Sequence, residues 1–315
     1  MVEHKLVIAH RGASGYLPEH TAEAKALAHA MGADYIEQDV VITRDGVPVV
    51  LHDVTLDTVT DVAKVFPGRS RDDGRYYVID FTLEEIERLK VTERINLKTG
   101  KAVFPSRFPA WSGDFRIATL ADELALIEGL NHSTGRTAGV YAEVKRPAWH
   151  RQQGRDCSKI VVEALAKAGY RGLDAAAFIQ CFDVKELRRM RDELGCDLPL
   201  VQLIGDGPSG DAPEGYDELC SAAGLQTLAR FAQGIGPSMS RVLHFDGGKS
   251  TVAELTRLAH DAGLVVHPYT LRKDSLPKDV SADALCEALF VDANVDGAFT
   301  DFPDHTGQWL RARNR

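Results

Sequence analysis

The chain has 315 residues, 44% of them hydrophobic and 26% charged, an ordinary globular composition that can bury a large core without disulfide staples. Its 37 Lys and Arg against 46 Asp and Glu give a formal net charge of −9. That balance excludes the basic footprint of a nucleic-acid binder, and any phosphate site must supply its own local positive charge.

The start, Met1 to Lys5, runs straight into Leu6-Val7-Ile8-Ala9 without the basic flank, apolar stretch and small-residue cleavage site of a secretory signal. The expectation is a cytoplasmic protein as the sequence stands, periplasmic if a signal has been removed. No run reaches the ~18 apolar residues of a membrane span. The cysteines, Cys157, Cys181, Cys196, Cys220 and Cys286, are odd in number and form no CxxC pair. They read as free thiols of a reducing compartment, and none is proposed as a nucleophile.

Leu6 to Ala9 reads as a buried strand ending in His10-Arg11, and Thr21 to Met31 as a helix. Tyr35 to Thr43 and Val47 to His52 read as extended segments joined by the Asp-Gly turn signal of Arg44-Asp45-Gly46. Further strands are expected at Gly139 to Val144, Ala176 to Phe182, Leu198 to Ile204, Leu264 to Thr270 and Gly297 to Asp301. Gly234 to Pro237 is ambiguous. Helices are expected at Cys157 to Ala168 and Val184 to Leu194. Alternating strands and helices imply parallel strands with crossover helices, and about eight such units suit a (β/α)8 TIM barrel. An open doubly wound sheet is the alternative, without the GxGxxG of its dinucleotide-binding version.

Asp53 to Arg116 breaks the alternation with clustered charges, Gly, Pro and aromatics. It reads as a subdomain inserted after the second strand unit of a single domain spanning 1–315. In a barrel it would lie over the C-terminal face, where active sites sit. A second insertion is expected over Gly205 to Gly224.

Four polar clusters fall at predicted strand ends: His10-Arg11-Gly12, Glu37 with Asp39, His52-Asp53, and Glu143 with Lys145. In a barrel they converge on one mouth. Glu37, Asp39 and Glu143 would crowd three negative charges unless a cation neutralises them, and carboxylates without sulfur suit Ca²⁺ or Mg²⁺. Arg11 and Lys145 offer positive charge for an anion. His10 and His52 bring two imidazoles, a side chain whose ordinary range lies near neutral pH, and suit a general acid and base. Together these groups are equipment for phosphoryl transfer from an oxygen ester. Each alone has a commoner use, as a solvated histidine, an exposed Glu-x-Asp face or a surface ion pair; their joint placement carries the reading.

The motifs HRGASGYLPEHT (10–21), EQDVVITRDGVPVVLHD (37–53) and AEVKRP (142–147) resemble those of the glycerophosphodiester phosphodiesterase family. So do DGRYYVIDFTLEEI, GLNHSTG, QCFD, LVQLI, VVHPYTLR and FTDFPD, in order along nearly the whole chain, and they look like the bacterial periplasmic branch with a long insertion. The resemblance implies a TIM barrel that hydrolyses glycerophosphodiesters to sn-glycerol 3-phosphate and an alcohol. By motif, His10 and His52 would be the acid/base pair, Arg11 a phosphate contact, Lys145 an aid at the phosphate, and Glu37, Asp39 and Glu143 the metal ligands. The branch implies Ca²⁺, with Mg²⁺ next. Glu19 would orient the first-strand loop.

The family also suggests attack by the substrate's own glycerol hydroxyl through a cyclic phosphate. Gln180, Phe182, Gln202 and Tyr269 are further candidate substrate contacts, with His244, His267 and Trp111 behind them. The insertion is expected to recognise or cover the glycerol end. No nucleic acid and no stable membrane insertion are expected, and the sequence is compatible with a homodimer. Two alternatives keep the barrel: a phospholipase-type enzyme acting on intact lipid headgroups, and a noncatalytic binding protein.

Overall fold

A computed structural model describes residues 4–313. Leu6–Ala9 forms β1, buried between neighbours on both faces, as an apolar run in a parallel sheet requires. Thr21 then caps α1 (Ala22–Met31) by accepting from the Ala24 N–H, and Gly32 ends the helix in the left-handed region. β2 (Tyr35–Ile42) pairs with antiparallel β3 (Pro48–Val50) through the expected turn.

Between β3 and the next long helix lie two short helices, α2 (Val62–Val65) and α3 (Leu83–Ile86). They pack around a second cluster, in which Leu56, Phe81, Leu89 and Phe115 meet Val41 of β2 and Val49 of β3. Regular alternation resumes with α4 (Leu120–Thr134), β4 (Gly139–Val144), α5 (Pro147–Gln152), α6 (Cys157–Lys167), β5 (Ala177–Cys181), α7 (Val184–Asp192) and β6 (Leu200–Ile204). It continues through α8 (Ala222–Leu228), β7 (Gly234–Pro237), α9 (Leu255–Asp261), β10 (Val265–Val266), α10 (Ala282–Glu287), β11 (Gly297–Thr300) and α11 (Pro303–Arg311). For the exposed hairpin of Leu243–Asp246 and Lys249–Val252 the labels β8 and β9 are used.

The parallel strands run in the order β10-β7-β6-β5-β4-β2-β1-β11. The circle closes where Phe299 N–H donates to Pro268 O and Leu271 N–H to Phe299 O. The fold is therefore a (β/α)8 barrel and not an open sheet. Gly234–Pro237, ambiguous in sequence, is a barrel strand. The Leu264 to Thr270 run pairs regularly only over Val265–Val266, because Pro268 has no N–H to donate.

Strand periodicity sorts the side chains. In β2, Ile36, Val40 and Ile42 face the helix layer; in β4, Val140, Ala142 and Val144 do the same. Of their alternates, Glu37, Asp39, Tyr141 and Glu143 point inward, while Val41 packs under the insertion. Tyr141 packs with Ile8, Val201 and Phe299 inside the barrel, so the floor is filled and only the C-terminal mouth is open to a ligand.

Candidate active site

A cavity of about 360 Å³ opens at that mouth, within the usual size for a small-molecule site. Its wall includes His10, Arg11, Glu37, His52, Glu143, Lys145, Gln180, Phe182 and Tyr269. Sequence-selected residues from five barrel strands, the hairpin's return and their loops thus meet in one space. Gln202 does not line it. Its amide donates instead to the backbone carbonyls of Phe182 (2.9 Å) and Leu203 (2.8 Å), so it holds strand ends together. His267 lies buried in the barrel against the Tyr141 hydroxyl at 3.1 Å, His244 is exposed on β8, and Trp111 is exposed on the insertion.

Glu37, Asp39 and Glu143 each present a carboxylate oxygen within 4.8 Å of the others, and all three are buried. Burial pushes the carboxyls of Glu37 and Glu143 above their ordinary range. Burial works against Asp39 as well, but Lys145 and His20 hold its carboxylate well below the usual range. Asp39 Oδ1 accepts no hydrogen bond. Three converging carboxylates, two of them disfavoured as anions and one with an oxygen that accepts no hydrogen bond, fit a hard divalent cation.

Behind Asp39 stands a buried chain that the sequence reading missed. His20 Nε2 lies 2.6 Å from Asp39 Oδ2, Lys25 Nζ lies 3.2 Å from His20 Nδ1, and the same ammonium pairs with Glu123 at 2.9 Å. Burial and the Lys25 charge push His20 down to about 3. The ring is therefore neutral, with Nε2–H donating to Asp39 and Nδ1 accepting from Lys25. This fixes the carboxylate's orientation. The signal was present: His20 lies inside the first motif.

The two histidines share one arrangement. His10 Nδ1 lies 2.6 Å from Asp301 Oδ1, and His52 Nδ1 lies 2.6 Å from Asp53 Oδ1. Each carboxylate fixes a tautomer and leaves Nε2 for chemistry. Asp53 is the neighbour of His52 in sequence; Asp301 comes from the far end of the chain, in FTDFPD. Burial pushes His52 down to about 4, helped by Arg11 and Lys145, so its ring is neutral at physiological pH. Burial would raise Asp301, but His10, Arg272 and Arg107 hold its carboxylate well below the usual range.

Arg11 adopts a left-handed backbone, and its N–H donates to Glu37 Oε2 at 2.7 Å. Its Nη1 lies 3.1 Å from each oxygen of Glu19. At the next residue Gly12, φ +85°, a Cβ would lie 2.8 Å from the Ala24 carbonyl carbon; only glycine lets this loop close onto α1. Lys145 Nζ lies 2.8 Å from Glu143 and 3.6 Å from Asp39. Two cations, two imidazole–carboxylate pairs and an acidic triad around one cavity define a hydrolase acting on a phosphate ester.

The comparisons narrow that class. The model of the glycerophosphoryl diester phosphodiesterase family matches residues 10–305. A Haemophilus influenzae glycerophosphodiester phosphodiesterase is 43% identical over 99% of this chain and 91% of its own. A Treponema pallidum protein of the same name is 35% identical, over 95% and 90%. A solved Oleispira antarctica phosphodiesterase, in complex with the product sn-glycerol-3-phosphate, superposes with a TM-score of 0.65 at 19% identity, covering 97% of this chain and 96% of its own; that likeness speaks to fold. The chain belongs to the glycerophosphodiester phosphodiesterase family and is an enzyme of its class, a phosphoric diester hydrolase.

Proposed function

We propose that the enzyme hydrolyses small glycerophosphodiesters, such as glycerophosphocholine and glycerophosphoethanolamine, to sn-glycerol 3-phosphate and the free alcohol. The observation that carries this reading is the meeting of His10, His52, Arg11, Lys145, Glu37 and Glu143 in the wall of one cavity of about 360 Å³, with Asp39 completing the acidic triad behind it and Asp301 and Asp53 behind the two imidazoles. Arg11 and Lys145 bind the phosphate, while Gln180, Phe182 and Tyr269 receive the glycerol or alcohol. Glu37, Asp39 and Glu143 hold a divalent cation, Ca²⁺ first and Mg²⁺ next, whose charge offsets that of the phosphate oxygens.

The glycerol hydroxyl beside the ester attacks phosphorus. A new P–O bond forms as the bond to the alcohol breaks. One imidazole takes the hydroxyl proton and the other protonates the departing alkoxide. Water then opens the cyclic phosphate with the proton roles exchanged, which returns both rings to their starting states. Intramolecular attack gains from proximity. The reading is supported by the cysteines, none of which lines the cavity, and by Ser238 and Ser240, whose hydroxyls both donate to Asp206 with no histidine to activate them.

A lipid-directed reading has one observation in its favour. Leu97, Val103 and Trp111 are exposed large hydrophobics of the insertion. Among the described residues no helix is long and apolar enough to cross a membrane.

The test is release of sn-glycerol 3-phosphate from glycerophosphocholine after EDTA treatment, with Ca²⁺, Mg²⁺, Mn²⁺ or Zn²⁺ restored singly. Metal-restored release supports the proposal. Release only from phospholipid vesicles would favour the lipid-directed reading, and no release from either substrate would favour a noncatalytic role.

A further inference from the structure

The cavity wall around His10, Arg11, Glu37 and Lys145 contains no residue of the insertion. The insertion instead lines a neighbouring cavity, which shares His52, Glu143, Lys145 and Phe182 with the first, through residues such as Thr55, Thr58, Arg75 and Tyr77. Any contact of the insertion with substrate would run through that adjoining space. What the insertion does place at the site is a pair of arginines on one loop.

Arg94 Nη1 donates to Asp53 Oδ2 at 2.7 Å. Its other edge takes both oxygens of Glu19, Nε to Oε2 at 3.0 Å and Nη2 to Oε1 at 2.7 Å. Arg107 Nη2 donates to Asp301 Oδ2 at 2.7 Å. That guanidinium is anchored in turn by Asp274 through Nε at 2.8 Å and Nη2 at 3.1 Å. The two sites repeat one pattern. In each aspartate one oxygen faces the imidazole and the other faces an insertion arginine.

We infer that the 93–108 loop of the insertion is a positioning element, in which Arg94 fixes His52 through Asp53 and Arg107 fixes His10 through Asp301. The inference rests on the reading of His10 and His52 as the acid/base pair. A planar guanidinium has its donors in a fixed fork, so a carboxylate bound to it loses rotational freedom. The imidazole on the carboxylate's second oxygen inherits that restriction, and proton transfer depends on it. Both arginines are well buried, with side chains 17% and 5% exposed, so solvent screens the contacts little.

The two arms differ in redundancy. Asp301 Oδ2 also accepts from Arg272 Nε at 2.7 Å. Among the described residues Asp53 Oδ2 has, besides Arg94, the neutral Thr58 hydroxyl at 2.8 Å. Loss of Arg94 should therefore cost more than loss of Arg107. Arg94 also holds Glu19 behind Arg11, so part of its effect should appear as weaker substrate binding, separable from the turnover effect that passes through His52.

The test measures kcat and KM of the full chain on glycerophosphocholine for Arg94→Ala, Asp53→Ala, the Asp53→Ala/Arg94→Ala double variant, Arg107→Ala and His52→Ala. Arg94→Ala is expected to lower kcat about 10–100-fold, within the total available from general acid–base catalysis. In the Asp53→Ala background the same change should lower kcat less than threefold further, since residues acting as one unit are not additive. Arg107→Ala should lower kcat by less than Arg94→Ala does. Equal Arg94→Ala losses with and without Asp53, a kcat within twofold of the parent, or a larger loss in Arg107→Ala would overturn the inference. Full activity in His52→Ala would instead sink the acid/base reading beneath it. Should Arg94→Ala fail to fold, Arg94→Lys keeps the charge and loses the fork; a several-fold kcat deficit at unchanged thermal stability is the expected result, and parental kcat would overturn the inference.

Discussion

Lys145 reaches back to Glu143, two residues earlier, with Nζ 2.8 Å from Oε1. A divalent cation held by Glu37, Asp39 and Glu143 would compete with that ammonium for the same carboxylate and free Lys145 for a phosphate. Burial makes Glu37 and Glu143 retain protons above their ordinary range. Metal binding must displace those protons, so affinity for the metal should rise with pH. Calorimetric titration with Ca²⁺ in buffers of different ionisation enthalpy measures the protons released; pH-independent affinity with no proton release would contradict this account. Glu37→Ala should weaken metal binding and activity together.

The depressed His52 offers a second prediction. Its downward push comes from burial first, then from Arg11 and Lys145. A bound phosphate group neutralises both cations, so sn-glycerol 3-phosphate should raise the His52 pKa from about 4. The ring is uncharged above its pKa, so the ligand should extend the protonated form to higher pH. Histidine NMR titration with and without the ligand, assigned with His52→Ala, would detect the shift; a resonance that titrates identically in both would place the phosphate elsewhere.

Asp301→Asn tests the orientation of His10. The amide keeps the shape but removes the carboxylate that Arg107, Arg272 and His10 share. Turnover should fall by about 10²–10⁴-fold, the range for general acid–base catalysis, and His10→Ala should fall in the same range. A loss below threefold in both variants would remove His10 from the mechanism.

Stability should be sensitive to Lys25. Its ammonium and Glu123 are both fully buried and 2.9 Å apart. Lys25→Met would strand Glu123 and take away the partner of His20 Nδ1. Breaking a buried pair by removing one member costs about 3–5 kcal/mol. Urea denaturation should register that loss, and an unchanged midpoint would mean that the pair contributes nothing net.

The fold was legible where one local signal sufficed. The run Leu6–Ala9, the Gly139–Val144 strand and the Asp45-Gly46 turn all stand as read. The β8–β9 hairpin was missed although Gly247-Gly248 between two β-rich runs marks such a turn. At the site, period-2 spacing put Glu37 with Asp39, and Glu143 with Lys145, on inward faces. What spacing could not give was contact between distant segments. Asp301 meets His10 across 291 residues, and Arg94 meets Glu19 across 75. Such pairings follow from barrel closure and from the packing of the insertion, neither of which has a local pattern.

The closure of β1 against β11 also sets an order of events during synthesis. His10 leaves the ribosome 291 residues ahead of Asp301, the aspartate that orients it, which arrives with the last barrel strand. A nascent chain that already carries both histidines, all three residues of the acidic triad and the whole insertion still lacks the strand that seals the barrel beside His10. Premature termination shortly before Asp301 would therefore yield a product with an unoriented His10, so catalytic competence reports that translation has passed the final barrel strand.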